Sequence, residues 1–135
     1  YIHPLIQKSS KKLFEDGHFA NAAEDAFIEI NARVKNLFSI VNPGSKVPDG
    51  DTAMTTVFST NNPLIEFCDR STETGYNKQN GYMQMLAGAM SALRNPKAHS
   101  NSEILSAEEA YRRLTTASML MYAIDDALKY SKIKE

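Results

Sequence analysis

The positions of Phe19, Ala23, Ala26, Phe27, Ile30, Val34, Leu37 and Phe38 constrain this chain more than any other feature. They recur at the i, i+4, i+7, i+8 spacing of one helical stripe, so residues 19–38 read as a long amphipathic helix packed along its whole length. A strand would alternate apolar and polar residues with period two, and almost no part of the chain does. The expected fold class is therefore all-α.

The flanking segments extend that reading. Pro4 suits a first helical turn, and Leu5, Ile6, Ser9, Leu13 and Phe14 share a face before Asp16-Gly17 breaks the run. The long helix starts near His18 or Phe19 and stops before Asn42-Pro43-Gly44. Residues 42–77 then read as an irregular insertion. Pro43-Gly44 and Asp49-Gly50 signal turns, a short helix is expected over 52–58 with Asp51 as its cap, and 64–68 is a second brief helical candidate. Residues 59–77 are expected to form a rim or lid beside the helical core.

A third main helix is expected over 78–94, with Tyr82, Met85, Leu86, Ala89, Met90 and Leu93 at core spacing. Gly81 and Gly88 inside it each cost about 1 kcal/mol relative to alanine, and the expected compensation is close approach of another helix. Pro96 lacks an amide hydrogen and disfavours helical geometry at Asn95, so the helix ends or kinks there. Ser106-Ala107-Glu108-Glu109 is a capping box that opens the last helix. Ala110, Leu114, Ala117, Met121, Ile124 and Leu128 then form a seam suited to a near-antiparallel helix, within the bundle or across a dimer. The sum is a bundle of four to five main helices with a loop and short-helix insertion.

At 135 residues the chain is one domain's worth, able to bury a core without disulfides or metal. A start at Tyr1 rather than Met leaves room for a longer protein of which 1–135 is a C-terminal part. Cys68 is the single cysteine, so no intrachain disulfide and no cysteine-pair zinc site can form, and a reducing cytoplasmic setting is expected. No long apolar run or leader pattern predicts a membrane span or secretion. Fifteen Lys and Arg against sixteen Asp and Glu give a formal charge of -1, which excludes a protein that coats nucleic acid by bulk electrostatics. The basic clusters at Lys8, Lys11 and Lys12, at Arg112 and Arg113, and at Lys129, Lys132 and Lys134 read as solvated helix faces.

One stretch carries chemistry. In Arg94-Asn95-Pro96-Lys97-Ala98-His99 the backbone leaves the helix axis at Pro96, which lets the Arg94 and His99 side chains turn toward one space. A guanidinium binds phosphate oxygens with a planar fork, and an imidazole takes or gives a proton near neutral pH. Asn95 could orient the histidine or hold the phosphate. No carboxylate cluster accompanies them, so neither a metal-dependent nuclease nor any cofactor is expected. From spacing alone, a helix-terminal arginine bonding the last carbonyls, with a histidine closing the next turn, accounts for the same residues.

Arg94 to His99 resembles the Arg-x4-6-His signature of the HEPN superfamily, with the polar residue after the arginine that its catalytic members favour. Gln79, Gly81, Leu86, Gly88-Ala89-Met90, Leu93 and the RNPKAH run are similar to the central block of the Ymh-type family of bacterial and archaeal proteins, and 107–129 resembles its closing segment. The likeness is good over residues 75–130 and less specific over the front helices. It implies an up-and-down HEPN-like bundle that dimerises so that two motifs meet in a cleft. It also implies a metal-independent endoribonuclease, of the kind found in toxin-antitoxin and phage-defence systems. On this likeness His99 acts as acid or base at the ribose 2'-OH and the leaving 5'-oxygen, Arg94 stabilises the phosphorane, Asn95 positions the group, and Lys97 binds RNA phosphates. RNA is the implied partner, together with a second copy and an antitoxin or other domain. Many HEPN proteins have lost catalysis, so a module that binds RNA, a nucleotide or a protein, or a helical dimerisation domain, is the alternative.

The remaining candidates read more simply. His18 is expected at a helix start and His3 at a frayed end, neither as a metal ligand. The methionines at 83–90 and 119–121 are expected as core and interface filler. Asp125 and Asp126 could pair with arginines, although a surface role is simpler.

Overall fold

A computed structural model describes residues 1–94 and 104–135, and these form an all-α bundle with no strand among the described residues. The helices are α1 (Pro4–Glu15), α2 (Phe19–Val41), α3 (Gly50–Val57), α4 (Glu73–Ala92) and α5 (Ala107–Ser131). No helix of the described residues is long and apolar enough to cross a membrane.

Helix α2 is the hub: α1, α5, α3 and α4 all pack on it, and α3 and α4 pair closely with each other. Its stripe does what the spacing predicts, since Ala23, Ala26, Phe27, Ile30, Val34, Leu37 and Phe38 are all buried. The α5 seam is likewise buried from Ala110 to Leu128, and its partner lies within the chain, where α5 packs on α2 and α1. Ser106 caps α5, its hydroxyl accepting the Glu109 N–H at 3.0 Å. The Glu109 carboxylate is turned to Arg112 and Arg113, so this basic pair is engaged on its own helix.

The front of the chain is held more firmly than a frayed end. His3 is only 5% exposed and caps α1, its Nδ1 accepting the Leu5 N–H at 3.1 Å. Its Nε2 lies 2.7 Å from Asp125 Oδ2, and its own N–H donates to Ser118 at 2.8 Å, so α1 is latched to α5. Asp125 is therefore paired, although its side chain stays part-exposed. It also meets the buried Arg33 at 2.6 Å, while Glu135 takes that guanidinium at 2.9 and 3.1 Å. Burial alone would lower the Arg33 pKa, but hydrogen bonds and charge from Glu135 and Asp125 outweigh it and raise it. Asp126, in contrast, is exposed.

The segment between α3 and α4 departs most from expectation. Helix α3 begins at Gly50 with Asp49, not Asp51, at the cap position. Residues 64–68 do not form a helix, because their backbone groups are bonded by the Val57 carbonyl, which accepts the Leu64 and Ile65 N–H groups at 3.0 Å each, and by distant side chains instead of by one another. Gln79, fully buried on α4, donates to the carbonyls of Phe58 and Ile65 at 3.1 Å each and accepts the Phe67 N–H at 2.8 Å. Ser131 of α5 closes the same segment by pairing with both backbone groups of Glu66 at 2.9 Å. Helix α4 starts at Glu73, five residues before the expected position, because Thr72 caps it by accepting the Gly75 N–H at 3.0 Å. The chain passes so close at Gly75 that a Cβ there would overlap the Asp69 carbonyl oxygen.

Gly81 and Gly88 are not explained by helix approach among the described residues, since a Cβ at either would meet none of their atoms within 4 Å. They lie, with Met85 and Ala92, on the side of α4 opposite the buried Gln79, Leu86, Ala89 and Met90. The methionines divide accordingly: Met90 and Met121 are core, whereas Met85 and Met119 are exposed.

Candidate functional site

Helix α4 ends at Ala92, two residues short of the expected end at Arg94, with Leu93 as its cap and Arg94 immediately after; Pro96, the expected cause of the break, lies outside the described residues. The N–H groups of Leu93 and Arg94 both donate to the Ala89 carbonyl, at 2.8 and 3.1 Å, and this tight final turn fixes where the Arg94 side chain departs. Asn95, Lys97 and His99 lie outside the described residues.

The Arg94 side chain is 15% exposed and runs across the start of α3. A Cβ built on Gly50 would lie 2.7 Å from Arg94 Nη2, so the guanidinium rests directly on bare backbone. Gly50 also has φ +62°, a left-handed conformation that side chains rarely adopt, so two separate reasons require glycine there. Beside it, Asp49 Oδ2 faces Arg94 Nη2 at 3.6 Å, a charge contact too long for a good hydrogen bond. The Arg94 Nε is buried and finds no acceptor among the described residues.

Asp49 is held in turn by α2. Asn31 Nδ2 donates to Asp49 Oδ1 at 2.9 Å, Asn31 Oδ1 accepts the Gly50 N–H at 3.0 Å, and Lys35 Nζ approaches Asp49 Oδ1 at 3.2 Å. The Asn31 hydrogen bond, with Lys35 and Arg94 adding to it against a smaller effect of burial, holds the Asp49 carboxyl below its ordinary pKa. Asp49 is therefore an anion at neutral pH, with one oxygen committed to α2 and the other turned to the arginine. A surface hollow of about 490 Å³ lined by Ile28, Asn31, Ala32, Lys35, Asn36, Ser39 and Val47 shares Asn31 and Lys35 with this node.

Other polar groups give weaker candidates. In His3 both ring nitrogens are engaged, one by Leu5 and one by Asp125, so neither is available to a substrate. His18 sits at the cap position of α2 without a side-chain cap bond. A mainly apolar hollow of about 370 Å³ between α1 and the start of α5 is lined by Ile2, Ile6, Phe14 and Leu114, with Lys11, Glu15 and Tyr111 also on its wall. Among the described residues no group of three His, Cys, Asp or Glu side chains could hold a metal ion.

Sequence reasoning singled out Arg94 but missed Asn31, Asp49 and Gly50. Asp49-Gly50 read only as a turn. The signal that could have found the node is Asn31, a polar residue beside Ile30 on the apolar face of α2 whose amide has to find a partner there.

The family model described as "Protein of unknown function (Hypoth_ymh)" matches residues 1–124, and the chain belongs to that family. No curated protein and no solved structure matches the chain.

Proposed function

We propose that this Hypoth_Ymh protein is a metal-independent endoribonuclease of the HEPN type, working as a dimer in a toxin-antitoxin or phage-defence setting. The observation that carries the reading is Arg94, a guanidinium turned out of the last turn of α4, incompletely paired, and five residues ahead of His99 in the RNPKAH run. A largely buried cation whose nearest carboxylate among the described residues stands 3.6 Å away keeps much of its attraction for a further anion, and a phosphodiester supplies one.

The chemistry needs little else. His99 takes the proton from a ribose 2'-OH, the 2'-oxygen attacks phosphorus, and the bond to the 5'-oxygen breaks as that oxygen receives a proton from the second histidine of the cleft. Arg94 stabilises the charge on the non-bridging oxygens as the phosphorane forms, Asn95 positions the group, and Lys97 binds a neighbouring phosphate. RNA is the substrate because the nucleophile belongs to the substrate. The open side of α4 supports the dimer: Gly81, Gly88 and Ala92 leave a low surface around the exposed Met85 against which a second helix can lie close.

The test is cleavage of single-stranded RNA in EDTA. The expected result is 2',3'-cyclic phosphate ends and loss of cleavage in Arg94→Ala and His99→Ala with melting retained; a wild-type dimer that leaves all RNA intact refutes the reading. A second reading rests on the contact of Arg94 with Gly50 and Asp49, which makes it a staple between α4 and α3 in a helical dimerisation or binding module. It requires a large melting-temperature drop in Arg94→Ala and no turnover in wild type.

A further inference from the structure

We propose that Asp49, oriented by Asn31, and Gly50 together form a seat that positions the Arg94 guanidinium for phosphate, so that Asp49, Asn31 and Gly50 are positioning residues of the site. The inference rests on the ribonuclease reading for its catalytic consequence and on the geometry around α3 for the seat itself.

Three features fit a seat and are more than a staple needs. The first is the division of labour on Asp49: Oδ1 takes the Asn31 amide and Lys35, leaving Oδ2 for Arg94. A carboxylate that served only to neutralise Arg94 would close on it at hydrogen-bond distance with both oxygens, as Glu135 does on Arg33 at 2.9 and 3.1 Å. Asp49 instead stands off at 3.6 Å, so it orients the guanidinium without consuming its donors. The second is Gly50, whose missing side chain leaves the space that Nη2 occupies. The third is Asn31, which binds Asp49 with one end of its amide and the Gly50 N–H with the other. One α2 side chain thus fixes both parts of the seat against the hub helix, and the arginine inherits the rigidity of α2.

Catalytic groups held loosely lose rate steeply, and displacement by about 1 Å can cost about a hundredfold. Asp49→Ala removes the charge facing Arg94, and Gly50→Ala pushes the guanidinium aside without altering any charge. Both are expected to lower kcat for RNA cleavage by about ten- to a hundredfold while KM changes less than about threefold. Asp49→Asn, which keeps an oxygen for the Asn31 amide, is expected to fall between Asp49→Ala and wild type.

A double-mutant cycle gives the readout that a structural role would not move. If Asp49 acts through Arg94, Asp49→Ala costs much less in an Arg94→Lys background, where a cation and residual cleavage remain to be measured, than it costs in wild type. An equal loss in that background, wild-type kcat in Asp49→Ala, or faster cleavage by Asp49→Ala each overturns the proposal, the last by making the carboxylate a restraint on Arg94. The Arg94 Nε–H nuclear magnetic resonance signal, followed in wild type, Asp49→Ala and Asn31→Ala, separates the seat from the activity. It is expected to shift and to exchange faster with water in both variants, and an unchanged signal refutes the seat even where the protein cleaves RNA. A wild-type protein that cleaves no RNA refutes the ribonuclease reading and the seat's catalytic part, while the resonance still decides whether the seat exists.

Discussion

Replacing Gln79 by leucine removes one side chain and strands three backbone groups. The Phe58 and Ile65 carbonyls lose their 3.1 Å donor, and the Phe67 N–H loses its 2.8 Å acceptor, at a position with no solvent access. Each buried polar group left without a partner costs about 1–3 kcal/mol, and a leucine recovers part of that by burying apolar surface instead of an amide. The expected net loss is about 3–5 kcal/mol, a large share of the roughly 5–15 kcal/mol that holds a domain of this kind together. Urea unfolding followed by helical circular dichroism measures it, provided the m-value is unchanged. Hydrogen exchange localises it, because the Phe67 amide is expected to lose its protection while amides in the middle of α2 keep theirs relative to the global stability. Gln79→Glu is an informative companion, since it keeps the acceptor but loses both donors and buries a charge, and part of its loss is expected to return on acidification. A loss below about 1 kcal/mol in Gln79→Leu, with unchanged m-value, would refute the reasoning and show that the 58–67 backbone finds its bonds elsewhere.

Other perturbations test other parts of the account. Gly88→Ala is expected to raise the stability of the monomer by up to about 1 kcal/mol, because none of the described residues stands within 4 Å of the added methyl, while Gly88→Leu is expected to weaken a dimer packed on that face; sedimentation at several concentrations checks the second outcome. His3→Ala removes the α1 cap and the Asp125 contact, and thermal melting is expected to show a loss of about 1–3 kcal/mol. Asp49 has its folded pKa held below the ordinary value, first by the Asn31 hydrogen bond, so its charge contributes stability that is complete above about pH 4 and lost as pH falls further. The destabilisation of Asp49→Asn relative to wild type is therefore expected at neutral pH and to shrink below pH 4. The exposure of the carboxylate, 55%, keeps that difference under about 1 kcal/mol in denaturant titrations.

The sequence was most legible where local periodicity and burial agree. In α2 and α5 one side of each helix faces the core throughout, so spacing alone identifies the buried residues, and capping chemistry marks the start of α5 at Ser106. The reading failed where a structure depends on side chains far away along the chain. Residues 64–68 look helical by composition, but their backbone is bonded by Gln79 and Ser131. His3 looks like part of a loose end because its partner, Asp125, is 122 positions away. The same reason hid the seat of Arg94: the arginine was visible in its motif, whereas Asp49 and Gly50 resemble any polar turn until the fold brings α3 against the end of α4. Buried polar residues on apolar faces, Asn31, Arg33 and Gln79, were the available clue, since each needs a partner inside the molecule.

The central claim is that the substrate supplies its own nucleophile while Arg94 and His99 act on the phosphodiester. The most direct measurement uses a single-stranded RNA with one mapped cut site and the same strand with a single 2'-deoxy nucleotide on the 5' side of that bond. Cutting at that bond is expected to disappear in the substituted strand and to continue elsewhere. Cutting that persists at the deoxy position would contradict it, because the bond would then be broken by a nucleophile other than the 2'-OH.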